Sequence, residues 1–267
     1  DLFKECEFSS LVQEIKGEEA TLKGDYRAVH TEEDLFDLTV KLGQISSFAL
    51  DCILTSPEPM RAAIAGFSVC HEPGQAFYVP LFKEEPAKEE TWRKTVLDTL
   101  APLLANRSIK KTGHDFKSAI IALHRIGVSL EGQTCDTMVA AYLLNPALRS
   151  FDLADIIYDQ SGRQILTQKA LLGSGTKALS FREADATRIR DYACQRVDAI
   201  SALCPSLMDR IENEGFASLL HDLEMPLVSV LAAMEYHGVL VDAGLLRTMS
   251  AELEQILALS ENKIYQL

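Results

Sequence analysis

Basic charge is what this sequence has least of. Thirty-nine Asp and Glu stand against 26 Lys and Arg, a formal charge of −13 at pH 7. A chain that grips nucleic acid by itself shows a basic face, so the balance argues against strong autonomous DNA binding and leaves room only for a local basic groove. Cysteine is sparse and scattered. Cys6, Cys52, Cys70, Cys135, Cys194 and Cys204 form no CxxC pair and have no histidine cluster beside them. That argues against a zinc or disulfide framework and for buried free thiols in a reducing compartment. No apolar run reaches the ~20 residues of a membrane span. The acidic opening Asp1-Leu2-Phe3-Lys4-Glu5 is not a signal peptide, so a cytoplasmic protein with no membrane partner is expected. Gly173-Ser174-Gly175 is too short and too poorly placed for a phosphate loop and reads as linker.

What is present is ample material for a core: 267 residues, 47% of them apolar and 24% charged, more than one typical domain and fewer than three. Phe3, Phe8, Leu11 and Ile15 fit a short opening helix ended by Gly17. A strand is expected over Tyr26–His30. Thr31 then caps a helix with Glu32, Glu33 and Asp34 in its first turn, running to about Leu42 with Gly43 behind it. Ser47–Leu54 reads as a central buried strand. Ala62–Cys70 and Gln75–Leu81 are joined by His71-Glu72-Pro73-Gly74 into a hairpin, which makes the first three strands of the sheet antiparallel neighbours. Lys83–Glu90 reads as a solvated loop, a helix is expected from Thr91, and Ser108–Thr112 is a fourth strand. Asp115 or its neighbour starts a helix that Gly127 ends. From there the pattern is almost wholly helical: Asp136–Leu144, Phe151–Tyr158, Thr167–Leu172 and a long helix from Arg182 to Glu212. A boundary falls near Asn213-Glu214-Gly215. Beyond it one helix carries Leu219, Leu220, Leu223, Leu227, Leu231 and Met234 to His237. Val239–Val241 is extended, and Asp242 caps a last helix striped by Leu246, Met249, Leu253 and Ile256.

The chemistry centres on Asp51, the one carboxylate that the strand Ser47–Leu54 delivers towards its C-terminal end, where open α/β sheets place their sites. His114 and His124 read as solvent-facing or capping residues. Lys110, Lys111 and Lys117 are compatible with a phosphate backbone but read first as a solvated charge run.

Three stretches in order carry a resemblance. Leu2-Phe3-Lys4-Glu5-Cys6-Glu7-Phe8 is similar to an LFxELEF segment. Cys135-Asp136-Thr137-Met138 through Tyr142-Leu143-Leu144 is similar to an FDTMLxxYLL helix. Leu223-Glu224-Met225-Pro226-Leu227-Val228 through Gly238-Val239-Leu240-Val241-Asp242 is similar to ExPLxxVLxxMExxGVxxD. Together they resemble the family A bacterial DNA polymerases I, between the 5′-nuclease and the polymerase core. The polymerase motifs that would follow are absent from this sequence.

The resemblance implies an α/β, ribonuclease H-like (DnaQ-like exonuclease) mixed sheet with flanking helices, followed by a helical segment. It also implies three divisions: linker and short helix over 1–25, a 3′→5′ exonuclease-like domain over 26–213, and the start of the polymerase domain over 214–267. In active members four carboxylates hold two metal ions about 4 Å apart. Of the family's Asp-x-Glu, this chain has Asp51-Cys52-Ile53, so Ile53 stands where a ligand is expected; strand alternation points both positions to one side. Of Gly-x-Asn-x-Lys-x-Asp it has Gly113 to Ala119, with Ala119 in place of the closing acid. Of Tyr-x-x-x-Asp it has Tyr192 to Arg196, with Arg196 in place of the acid. Asp51 and Tyr192 are then vestiges, and no catalytic residue, metal ligand set or cofactor is expected in this chain. Mg²⁺ and DNA belong to the parent polymerase, whose core is the partner expected in cis; DNA binding by the fragment alone is expected to be weak or absent.

Three readings follow. The domain is an inactive platform for a polymerase, a working nuclease using displaced acids such as Asp115, Asp191 and Asp198, or a nucleotide or single-strand binding module using the vacant cleft. If Arg196 takes a ligand's place, it should lie against Asp51 as counter-charge, because either charge alone in a shielded cleft is costly. The apolar stripe of the last helix should be mobile or covered by another copy of the chain.

Overall fold

The strand that carries Asp51 forms because Phe48, Ala49, Leu50 and Ile53 are all buried, a run too apolar to face water on either side. A computed structural model describes residues 24–82 and 85–266; the opening helix expected at Phe3–Ile15 lies outside the described residues. The elements are β1 (Asp25–Ala28), α1 (Glu32–Gly43), β2 (Ser47–Leu54), β3 (Ile64–Glu72), β4 (Gln75–Pro80), α2 (Pro86–Leu104), β5 (Lys110–Gly113) and α3 (Phe116–His124). They continue as β6 (Gln133–Asp136), α4 (Thr137–Leu144), α5 (Leu153–Ser161), α6 (Gln168–Leu172), α7 (Ala186–Asn213), α8 (Met225–His237) and α9 (Ala243–Tyr265).

Six strands make one mixed sheet in the order β1-β4-β3-β2-β5-β6. The hairpin is present, turning at Gly74 with φ 84°, and β2, β3 and β4 are antiparallel neighbours. The first strand of the chain departs from the antiparallel expectation. β1 joins the far edge parallel to β4, because the hairpin is laid down between it and β2. On the other side, β5 pairs parallel to β2 and β6 parallel to β5. The last strand is missing from the sequence reading, whose next element is the helix from Asp136. At four residues it is too short to show alternation, and only its pairing with β5 defines it.

The loop expected at Lys83–Glu90 is corrected in its second half. Pro86 opens α2, where a fixed φ and a missing N–H suit the first turn, and Glu89 is buried against Arg182 by two hydrogen bonds of 2.6 and 2.7 Å. Trp92 Nε1 donates to the Pro80 carbonyl at 2.6 Å, fixing α2 to the end of β4. The helix expected to run unbroken to His237 begins as a π-helix, Leu219–Glu224, just before Pro226.

α7 is the strut of the domain. Ile189, Tyr192, Ala193, Val197, Ile200, Leu203, Leu207 and Ile211 are buried at helical spacing, and the helix packs across β1 to β5. Asp198, buried on this face, accepts from the Tyr26 hydroxyl at 2.9 Å and from the Gly74 amide at 2.7 Å. One carboxylate thus ties the first strand and the hairpin turn to the last helix of the sheet layer.

The described residues fall into two compact units, the first ending at Ala233 and the second beginning at Met234. In the second, Asp242 Oδ1 accepts from the Leu245 amide at 2.9 Å and starts α9 as expected. α9 buries none of its residues.

Asp136 organises the approach to the cleft described below. Its carboxylate accepts from the Asp115 and Phe116 amides at 3.0 and 2.7 Å, opening α3, and from the Met138 amide at 2.9 Å, opening α4. Burial holds this carboxyl up at about 6 against the pull of the three amides. Replacing it leaves buried amides of two helix starts unpartnered. Asp136→Ala should cost about 2 kcal/mol or more in urea unfolding, whereas Thr31→Ala, which removes an exposed cap, should cost about 1 kcal/mol.

Candidate functional site

Sheet topology decides where the chemistry-bearing residues meet. β2 and β5 run parallel and side by side, so the end of β2 and the turn after β5 open on the same edge. The turn is tight because Gly113 has no side chain: a Cβ there would sit 2.5 Å from the Phe116 ring and 3.0 Å from the Leu50 carbonyl. Asp115 follows in the left-handed region at φ 54°, a conformation that Asp tolerates better than most residues.

A cleft of about 390 Å³ lies at this edge, walled by β2, the β5–α3 turn, the start of α5, α6 and α7. Asp51, Ile53, Ala119, Tyr192 and Arg196 all line it. The five positions read from three separated motifs therefore belong to one site. Asp115 is also at the wall. The other proposed displaced acids are not brought there. Asp191 is paired with Arg190 at 2.7 Å, and Asp198 is committed to Tyr26 and Gly74 beneath the sheet edge.

Arg196 Nε donates to Asp51 Oδ2 at 2.6 Å. Asp51 is 4% exposed and the Arg196 side chain 21%, so this is a shielded pair, the counter-charge expected of residue 196. The guanidinium also lies 5.6 Å from the centre of the Tyr192 ring. Burial alone would lower its pKa. The charge of Asp51, with Tyr192 and Asp152 behind it, outweighs burial and holds the guanidinium above its ordinary value. Tyr192 is buried, and that burial raises its phenol.

Sequence reasoning missed Asp152. It sits just before α5, where an aspartate reads as a helix cap, yet its carboxylate makes no capping hydrogen bond and lines the cleft. Its only signal is that cap pattern. His114 corrects an expectation: it is not solvent-facing but lines the cleft, with Nδ1 2.9 Å from Thr137 Oγ1. Burial, and then the charge of Arg196, push its imidazole down to about 3. His124, by contrast, is exposed in the last turn of α3. Lys111 is neither a phosphate contact nor solvated surface. It is wholly buried, donates to the Asn106 carbonyl at 2.6 Å, and has its pKa lowered to about 8 by burial. Among the described residues no group of three or more His, Cys, Asp or Glu side chains is placed to hold a metal ion, and no helix is long and apolar enough to cross a membrane.

The family described as DNA polymerase I, ribonuclease H-like domain, matches residues 54–203. DNA polymerase I of Pseudomonas aeruginosa is 29% identical over the whole chain, which spans 31% of that protein. The chain spans under a third of the length of this relative and of the Bacillus subtilis one. Among solved structures, the POL domain of Pol1 from M. smegmatis, in complex with DNA primer-template and dNTP, superposes with a TM-score of 0.65 at 25% identity. It covers 86% of this chain and 35% of that one. Escherichia coli RNase D, at 16% identity and a TM-score of 0.59 over 78% of this chain and 51% of its own, shares the fold.

Two outcomes test the site's electrostatics. Arg196→Met strands a buried carboxylate and should cost about 3–5 kcal/mol, whereas Asp51→Leu combined with Arg196→Met should recover most of that loss in a double-mutant cycle. The second concerns pH. A histidine whose folded pKa is about 3 stays neutral in the fold while the unfolded chain takes up its proton near 6.5. Its contribution to stability is therefore whole above pH 6.5 and is lost, at about 1.4 kcal/mol per pH unit, as pH falls towards 3. The wild type should lose stability between pH 6.5 and 4 more steeply than His114→Gln by about that slope, read from urea midpoints.

Proposed function

The chain belongs to the family of DNA polymerase I ribonuclease H-like domains, and from that premise we propose that it is part of a DNA-directed DNA polymerase I, acting in replication and repair, whose exonuclease-like domain is a catalytically silent platform. The observation that supports this reading is the 2.6 Å pair between Arg196 and Asp51. In active relatives with this motif pattern, as the resemblance implies, that carboxylate would face metal ions. Here its Oδ2 is satisfied by a guanidinium fixed in the same wall.

The residues present do not fit a two-metal centre. One carboxylate of four is retained at the motif positions, Ile53 and Ala119 offer no lone pair, and Arg196 contributes a positive charge that repels a divalent cation at close range. Asp115 and Asp152 line the cleft but do not complete a ligand set. What the residues do instead is mutual neutralisation: Arg196 and Asp51 close the cleft wall, and apolar Ile53 and Ala119 pack where ligands would stand. Primer-template DNA and Mg²⁺ are assigned to the polymerase core of the parent protein, with this domain as its rigid neighbour in the cytoplasm.

The alternative is an active 3′→5′ exonuclease using displaced acids. Of the three displaced acids considered, only Asp115 is at the cleft, which favours the platform. The measurement is digestion of a 3′-labelled single-stranded oligonucleotide with Mg²⁺ and then Mn²⁺. No mononucleotide release is expected from the wild type or from Ile53→Glu alone, because ligands of one centre act as a unit. The triple variant Ile53→Glu, Ala119→Asp, Arg196→Asp is the smallest change expected to give metal-dependent cleavage. Metal-dependent release by the wild-type chain, abolished in Asp51→Ala, would overturn the platform reading.

A further inference from the structure

The cleft has a size and a lining that a silent platform does not use. Its volume of about 390 Å³ lies within the range of small-molecule sites, roughly 300–1,000 Å³. Much of the lining is hydrocarbon, from Ile53, Ala119, Met138, Ile165 and Leu166, and it also carries the carboxylates of Asp115 and Asp152. We propose that this cleft binds a flat, amino-substituted heteroaromatic molecule that carries no phosphate and needs no metal ion. The proposal rests on the platform reading, because a cleft that held two metal ions would select ligands of the opposite charge.

α4 supplies the features that suit a ring. Met138 lines the cleft, and Tyr142, four residues on, shares its helix face. Tyr142 is 49% exposed, although its ring is held edge-on against Phe151, with 5.7 Å between centroids and 69° between planes. Phe151 in turn directly precedes Asp152 of the cleft wall. A thioether and an aromatic step therefore stand at the mouth of the cleft. Both favour ring partners, the sulfur at a ring edge and the aromatics in offset or edge-on contact. A tyrosine already fixed by a neighbouring ring also has less side-chain freedom to lose on stacking.

Charge selects for amino groups and against phosphate. The charged side chains that line the cleft are three carboxylates, Asp51, Asp115 and Asp152, and two cations, Lys169 and Arg196. His114 adds no charge, because burial keeps its imidazole neutral. Arg196 is committed to Asp51 at 2.6 Å, so the guanidinium that would attract a phosphate is neutralised by the protein itself. Ionised carboxylates only accept hydrogen bonds; they suit ring N–H and amino donors and repel a phosphate ester. Asp152 makes no side-chain hydrogen bond to its own helix start, which leaves its carboxylate for a ligand. Among the described residues no metal-holding group of His, Cys, Asp or Glu stands here to offset the repulsion.

The test titrates the folded chain against 2-aminopurine, whose fluorescence is quenched on stacking. Saturable quenching is expected. Purine, which lacks the amino group, should compete about fivefold more weakly, and 2-aminopurine riboside 5′-monophosphate about tenfold more weakly with or without Mg²⁺. Tyr142→Ala and Asp152→Ala, both at exposed positions, should each weaken 2-aminopurine binding about fivefold. No saturable quenching by the wild type, purine or the monophosphate binding as tightly, or quenching unchanged in either variant would overturn the proposal and leave the platform reading standing. A monophosphate that binds tightest, and only with Mg²⁺, would overturn both. The three probes on the wild-type chain decide this even if a variant fails to fold.

Discussion

A carboxylate removed from water must be neutralised by something, and the cleft of this domain is built on how that demand is met at Asp51. Desolvation disfavours the bare anion by several kcal/mol. Here a guanidinium from the facing helix lies against it at 2.6 Å. Once Arg196 is the counter-charge, other features follow physically. Ile53 and Ala119 line the same cleft with hydrocarbon. Tyr192 packs beside the guanidinium, and the same charge adds to the burial that holds the His114 imidazole low.

That solution has a cost in adaptability. A metal-centred site can gain or lose its ions without refolding, whereas an Arg–Asp pair is part of the wall. Removing either partner leaves a buried charge, so the site resists single substitutions in both directions.

Much of the arrangement is legible in the sequence. Thr31 with its acidic first turn, the Pro-Gly hairpin, the largely apolar Ser47–Leu54 and the cap at Asp242 are local signals with local causes, and the structure has each. The three motif fragments, read by resemblance, define one cleft. What was not legible depends on long-range packing. β6 is a strand only because β5 lies beside it. Lys111 is buried on β5, between β2 and β6, with the Asn106 carbonyl as its acceptor. His114 faces the cleft because of a turn that Gly113 tightens, and Asp152 looks like any helix cap until the cleft closes around it. Side-chain environment, more than element type, was beyond sequence pattern.

The three hydrogen bonds that α7 makes to the front of the chain span 172 residues from Tyr26, 124 from Gly74 and 145 from Asp51. On a ribosome, these partners leave the exit tunnel well before α7 does. β1, the hairpin and the Asp51 strand all emerge long before residue 198, and at translation rates of about 5–20 residues per second they wait on the order of ten seconds with an exposed edge and an uncompensated carboxylate. Non-local closure of this kind makes for slow folding. The nascent domain is therefore vulnerable for nearly its whole synthesis, and becomes a domain only when its last long helix arrives.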